Sequence, residues 1–347
     1  MLSIGKKNRV IIIAEISANH GRSFTRAVSL VQEAKRCGAD AVKFQAYTPD
    51  TITLDMDSSY FKIRHPEWGG QTLYQLYKKA YTPWNWLKKL KKVSDDLGMA
   101  FFATAFDKTA VDFLEGLDVK VHKISSFELV DLPLIEYAAG TKKPLILSTG
   151  MASIAEIKDA VAAARGGGAS EIALLKCVSS YPADPREMNL RTIGDMKERF
   201  GCPVGLSDHT LGIGASLAAV TLGAVIIEKH FTLSRKIKTP DSFFSVEPGE
   251  LKVLADNIRL IENALGHPSY RITAGQKRSL GFRRSIFAVK DIKAGGAFTE
   301  ENIRSIRPAK GLRPKYLKDI IGKKAGRAIK RGTPLQWKLI SSPETKR

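Results

Sequence analysis

From residue 9 to about residue 230 the chain repeats one unit: a short β-branched apolar run, a polar break, then a segment with helical periodicity. The runs are VIIIAEIS (10–17), ADAVKFQ (39–45), MAFFATA (99–105), VKVHKIS (119–125), KPLILST (143–149), EIALLKC (171–177), CPVGLS (202–207) and AVIIEKHF (224–231). Continuous apolar runs of this length suit strands covered on both faces, as in a parallel sheet. Between them lie amphipathic stretches such as TRAVSLVQEAKRCG, with Gly38 as its C-cap, and SIAEIKDAVAAARGGG. Eight such strands alternating with helices predict an α/β chain folded as a (β/α)8 TIM barrel. An open doubly wound sheet is the competing arrangement.

One connection is longer than a barrel needs. Between Gln45 and the helix expected around Trp86 lie roughly 40 residues rich in Thr, Asp, Tyr and Trp, and loops of that length in a compact domain usually serve as lids or binding loops. PGELKVLADNIRLIENALG (248–266) reads as a last amphipathic helix. The expected division is a barrel over 1–265, a linker over 266–282 and a small β-rich domain over 283–347. That tail repeats itself weakly: DIKAGGAFTEENI (291–303) and AIKRGTPLQWKLI (328–340) share an Ile-Lys-x-Gly turn, an apolar residue and a closing Ile.

The net charge of +20 raises nucleic acid as a partner, so its location matters. Residues 283–347 hold 18 Lys and Arg against 5 Asp and Glu, a surplus of 13. No zinc-finger spacing, KH loop or RNP-like aromatic strand accompanies it, and the reading is no nucleic acid. Three widely spaced cysteines, Cys37, Cys177 and Cys202, argue against a disulfide framework. No apolar run approaches the roughly 18 residues of a membrane span. A reduced, cytoplasmic protein without membrane partners is the expectation.

Active sites of such barrels lie at the C-terminal ends of the strands. There the sequence places Glu15, then Asn19 and His20; Lys43 and Gln45; Thr104 and Asp107; Lys123, Ser125, Ser126 and Glu128; Ser148 and Thr149; Ser179, Ser180 and Tyr181; Ser207, Asp208 and His209; and Glu228, Lys229 and His230. Eight strands ending this way predict a converging polar funnel. Lys43 and Lys123 with nearby hydroxyls suit a phosphate or carboxylate, whereas a lysine snorkelling to the rim is the ordinary alternative. His209 and His230 close adjacent strands, with Asp208 and Glu228 beside them. They are either hydrogen-bonded core residues or a pair reaching one ion, for which Mn²⁺, Mg²⁺ and Zn²⁺ are all chemically reasonable. His20 reads as a residue that orients a loop or substrate.

AEISANH (14–20), KFQAYTPD (43–50), KISSFE (123–128), STGMA (148–152), GLSDHT (205–210) and IEKHFTL (227–233) resemble, in this order, the sialic acid synthases. SIRPAKGLRP (305–314) resembles that family's antifreeze-like (SAF) C-terminal domain, so the resemblance covers nearly the whole chain. TLYQLYKKAYTPWNW (72–86) and KISSFE are most similar to the pseudaminic acid branch; legionaminate and N-acetylneuraminate synthases are the alternatives. The resemblance implies condensation of phosphoenolpyruvate with an N-acetylated amino sugar aldehyde. It implies that Lys43, Thr104, Lys123, Ser126, Ser148 and Ser207 hold phosphoenolpyruvate, and that His209 and His230 bind a divalent metal, Mn²⁺ or Mg²⁺. Glu15, Gln45, Tyr181, Glu228 and Asp241 would face the sugar or the reacting centre, with Glu15, then Glu228, as the carboxylate that moves protons. Arg307 would arrive from the partner's tail in a domain-swapped homodimer. Four positions depart from the family pattern: Ala103 and Ala105 around Thr104, Thr239 before Pro240-Asp241, and Val178 after Cys177.

Three other readings remain at this point. A barrel aldolase would use Lys43 or Lys123 as a Schiff base. A non-catalytic carbohydrate- or ice-binding protein would act through the tail alone, and a nucleic-acid binder through its charge.

Overall fold

Eight parallel strands close on themselves: β1 (Ile11–Glu15), β2 (Ala41–Ala46), β3 (Ala100–Ala105), β4 (His122–Ile124), β5 (Leu145–Ser148), β6 (Ile172–Cys177), β7 (Val204–Asp208) and β8 (Ile226–His230). Residues 9–341 are described in this computed structural model. Each strand lies within one residue of the apolar run that predicts it. β1 pairs with β2 through Ile13↔Ala41 and with β8 through Ile11↔Ile226, which leaves no edge strand and excludes the open sheet. Both faces are covered, so the strands read as continuous apolar runs.

The helices between strands start and stop where local chemistry dictates. Ser23 accepts from the Arg26 amide to cap the helix Phe24–Arg36. That helix stops because Gly38, at φ +94°, turns the chain in a conformation L side chains rarely adopt. Ser153 and Glu156 form a capping box for Ile154–Gly167. The long connection after β2 carries two short helices, Pro49–Ile52 and Leu73–Ala80, before Trp84–Asp96. Pro248–Leu265 is the last helix of the barrel unit, Met1–Gly266.

A two-residue period places the site. Inside the barrel, Ile13, Ala41, Phe102, Val121, Ile146, Leu175 and Ile226 are buried among one another. Gly205 completes the ring because nothing larger fits: a Cβ there would lie 2.5 Å from the Ile226 carbonyl oxygen and 2.7 Å from a Leu175 methyl. Alternate strand residues share a face. The next inward layer, two residues on, is therefore Glu15, Lys43, Thr104, Lys123, Ser148, Cys177, Ser207 and Glu228. Dry packing below and polar groups above are consecutive layers of one barrel.

The second unit, His267–Arg347, has its own core. Antiparallel β9 (Ser285–Ala288) and β10 (Ile303–Ile306) pack with Phe298, Ile320 and Leu335. The two weak repeats meet in an Ile292↔Ile329 bridge, and Gly295 and Gly332 take matching positive φ values of 74° and 85°. The stretch ahead of β9 holds a short exposed helix, Ala274–Ser279.

Candidate active site at the barrel mouth

The polar layer opens into a cavity of about 440 Å³ at the C-terminal ends of the strands. Its floor is built around Lys43, which is only 4% exposed. The ammonium lies 2.7 Å from Glu15 Oε2 and 3.7 Å from Glu228 Oε2, and donates to Thr104 Oγ1 at 3.0 Å. Thr104 thus stands behind Lys43 and does not line the cavity. Gln45 donates to Glu15 Oε1 at 3.1 Å, and Ser207 donates to Glu228 Oε1 at 3.0 Å.

Lys123 sits differently. At 1% exposure, it donates to Ser148 Oγ at 2.6 Å and to the Ile124 carbonyl at 3.1 Å. Among the described residues it has no ion-pair partner. Burial pulls its ammonium below the ordinary lysine range, partly offset by the field of Glu228. Ser126 accepts from the Gly150 amide at 3.1 Å, which points that loop toward the same end of the cavity. A buried ammonium held by neutral groups keeps a strong attraction for negative charge.

The two carboxylates are driven apart. Burial pushes Glu15 up to about 7, with repulsion from Glu228 adding to it and Lys43 opposing. Burial acts on Glu228 too, but Lys123 and Lys43 outweigh it and hold that carboxyl below its usual range. Like charges sharing one ammonium cannot ionise equally easily. Of the pair, Glu15 is the member that takes up and releases a proton near neutral pH, while Glu228 stays ionised.

His209 and His230 face each other across the cavity, ring centroids 5.4 Å apart. His209 Nδ1 donates to the Val178 carbonyl at 2.8 Å, leaving Nε2 as its free nitrogen. Burial, helped by His209 and Lys43, keeps His230 neutral, and its buried Nδ1 has no hydrogen-bond partner. Two imidazoles with uncommitted nitrogens fit an open metal position better than a closed structural cage. No set of three or more His, Cys, Asp or Glu side chains forms a ready cage among the described residues. Tyr181 lies against His209 at 4.4 Å, and Asp241 comes within 3.9 Å of His230 Nδ1.

Some expected neighbours point elsewhere. Asp208 does not flank the histidines from inside. It faces outward, with Lys229 Nζ at 2.9 Å and donors from Thr210 and Ser216, and both members of this ion pair are buried. The pair ties the ends of β7 and β8 together behind the imidazoles. Asp107 caps the helix Lys108–Gly116. His20 is buried on Thr82 and Trp86 and orients the loop, not a ligand. Arg307 is exposed at the end of β10 in the second unit.

Three contributors escape the list of polar strand ends. Cys177, whose alternation with Ala173 and Leu175 places it inward, lies 3.8 Å from His209 Nδ1. Phe244 packs on His230 at 4.7 Å. The outer wall of the cavity comes from the long connection: Ile52, Ile63, Trp68, Leu73, Leu76 and Tyr77. Trp84 and Trp86 instead brace that segment from behind, Trp84 donating to the Tyr47 carbonyl and Trp86 packing on Phe24.

Comparisons with known proteins identify the family of the chain. The NeuB family model matches residues 30–270 and the SAF domain model residues 283–341. A pseudaminic acid synthase from Helicobacter pylori is 43% identical, covering 93% of this chain and 96% of its own. An N,N'-diacetyllegionaminic acid synthase from Legionella pneumophila is 35% identical, with 97% and 96% covered. The crystal structure of N-acetylneuraminic acid synthetase from Leptospira borgpetersenii, in complex with citrate, superposes with a TM-score of 0.71 at 33% identity, over 80% of this chain and 94% of that one.

The elevated Glu15 sets a pH dependence. Above pH 4.5 the unfolded chain loses the Glu15 proton while the native state keeps it to about pH 7, so this group lowers stability as pH rises through that window. Glu15→Gln removes the titration. Denaturant unfolding at pH 4.5 and at pH 7.5 should show the variant gaining on the wild type by up to about 3 kcal/mol between the two. Parallel pH profiles would refute the assignment.

Proposed function

The chain belongs to the NeuB family, and on that premise we propose that it is a pseudaminic acid synthase, joining phosphoenolpyruvate to 2,4-diacetamido-2,4,6-trideoxy-L-altrose and water to give pseudaminic acid and phosphate. The observation that carries this reading is Lys123, a buried ammonium with only hydroxyl and carbonyl partners among the described residues, next to Lys43 in the same layer. An anionic nucleophile would satisfy that charge. Three relatives 40–43% identical over 93–96% of this chain carry the pseudaminic name, ahead of the legionaminic acid synthases at 35–36%.

Phosphoenolpyruvate lies with its anionic groups on Lys43 and Lys123, steadied by the hydroxyls of Ser126, Ser148 and Ser207, while Thr104 holds Lys43 in place. The open-chain sugar enters over Gln45, Tyr181 and Asp241. His209 and His230 would hold a divalent ion, Mn²⁺ or Mg²⁺, which supplies Lewis-acid polarisation of the aldehyde oxygen when bound. C3 of phosphoenolpyruvate then attacks the aldehyde carbon, whose oxygen takes up the proton of Glu15, and positive charge develops at C2. The ionised Glu228 steadies that charge. Water adds at C2 and gives its proton to the Glu15 carboxylate so formed, whose affinity for it is matched to neutral pH. The C2–O bond to phosphate breaks, phosphate leaves with the electron pair, and loss of the hydroxyl proton yields the ketone.

The test is phosphate release from phosphoenolpyruvate with a panel of amino sugars. The 6-deoxy diacetamido sugar should turn over faster than N-acetylmannosamine, and chelator should stop both. His209→Ala and His230→Ala should each lower kcat at least 100-fold without changing the circular dichroism spectrum. Full activity after metal stripping would remove the metal role, and faster use of N-acetylmannosamine would remove the sugar assignment.

The reading extends to a swapped homodimer in which Arg307 completes the partner's site, supported by the SAF domain match and by the exposure of Arg307. Mixing inactive Arg307→Ala and Lys123→Ala proteins under subunit exchange should restore up to one working site per mixed dimer. No recovery would mean that the arginine does not act in trans.

A further inference from the structure

The cavity has a charged floor and an apolar outer wall, and the mechanism draws on the floor. The wall is built by a strap from the long connection. Residues 61–73 fold back on themselves: Ile63 N donates to the Gln71 carbonyl at 3.1 Å, Leu73 N donates to the Phe61 carbonyl at 2.8 Å, and Lys62 bridges to Thr72. Trp68 sits at the tip of this strap. His65 stacks on its indole at 4.3 Å, and Gly69 makes the tight return possible, since a Cβ there would stand 2.6 Å from the His65 carbonyl oxygen.

The indole is fixed from the opposite side of the mouth. Its only polar atom, Nε1, donates to the Pro240 carbonyl at 2.8 Å, one residue before Asp241. Tyr181 lies 5.6 Å from the ring and Phe243 6.1 Å. With its N–H spent on Pro240, Trp68 offers the cavity an apolar surface alone, continuous with Ile63 and Leu73. The side chains of Trp68, Ile63 and Leu73 themselves offer a hydroxyl no acceptor.

We propose that Trp68 is a specificity-determining residue for the end of the sugar remote from its aldehyde, selecting acceptors that finish in a methyl group over those that finish in a hydroxymethyl group. This deepens the reading above and rests on it. A methyl group keeps its favourable burial against the indole, whereas a hydroxyl in the same place gives up its water and finds no partner. Apolar pockets reject an added hydroxyl by about a hundredfold at most, so the expected selectivity is about tenfold to a hundredfold in kcat/KM.

The experiment uses the full-length enzyme and two 2,4-diacetamido sugars that differ only at C6, one deoxy and one hydroxylated, with phosphate release as the readout. Wild type should prefer the deoxy sugar by the stated factor. Trp68→Phe keeps an apolar ring and should retain most of the preference. Trp68→Ala opens the wall to water and should bring the two sugars within about threefold of each other, through a raised KM for the deoxy sugar, with KM for phosphoenolpyruvate unmoved. Retention of the wild-type ratio in Trp68→Ala would overturn the proposal, as would equal losses on both sugars with a shifted phosphoenolpyruvate KM. A wild type that releases no phosphate with either sugar would instead overturn the reaction itself, a result distinguishable from the other two.

Discussion

Burying the Lys123 ammonium inside a protein, against a serine hydroxyl and a carbonyl, is costly, and the barrel accepts that cost at the one layer where a ligand can relieve it. Removing a charge from water costs roughly several kcal/mol even after relaxation. Lys43 is compensated by Glu15 and partly by Glu228, whereas among the described residues Lys123 has no carboxylate in contact. The field of Lys123 and Lys43 also keeps Glu228 ionised, while burial and repulsion from Glu228 raise Glu15 against the pull of Lys43.

The barrel holds those charges in register without depending on flexible loops. Each of the eight strands contributes one residue to the polar layer, two positions beyond a packed interior residue. The charges are consequently fixed by β-ladder hydrogen bonds and by side-chain packing below. Outside the barrel, the buried Asp208–Lys229 pair does comparable work for the histidines, joining the two strands that carry them. The long connection is different in kind. It supplies no charge to the floor, but it gives the cavity its apolar side.

Much of this was legible in the sequence for physical reasons. Strands covered on both faces must be apolar throughout, so the polar residues interrupting them at Glu15, Lys43, Lys123 and Glu228 stand out. The sequence was misleading where a residue's type and its direction disagree. Asp208 and Lys229 look like site residues, yet strand alternation turns them outward to satisfy each other. Cys177 looks apolar, yet the same alternation turns it in beside His209. Counting from the interior residues in steps of two would have sorted all three. Trp68 carries no comparable signal, because its place depends on how residues 61–73 fold back and on a carbonyl more than 170 positions away. The aromatic residues nearest the recognisable motif, Trp84 and Trp86, proved to be braces.

In the proposed reaction the barrel mouth directs attack to carbon and not to phosphorus. Phosphoenolpyruvate labelled with ¹⁸O in the oxygen bridging C2 and phosphorus tests it directly, with the released phosphate analysed by mass after turnover with the diacetamido sugar. If water adds at C2 and the C–O bond breaks, each phosphate carries the label. Phosphate without the label would mean cleavage at phosphorus, and would contradict the roles given to Lys123, Glu228 and Glu15 together.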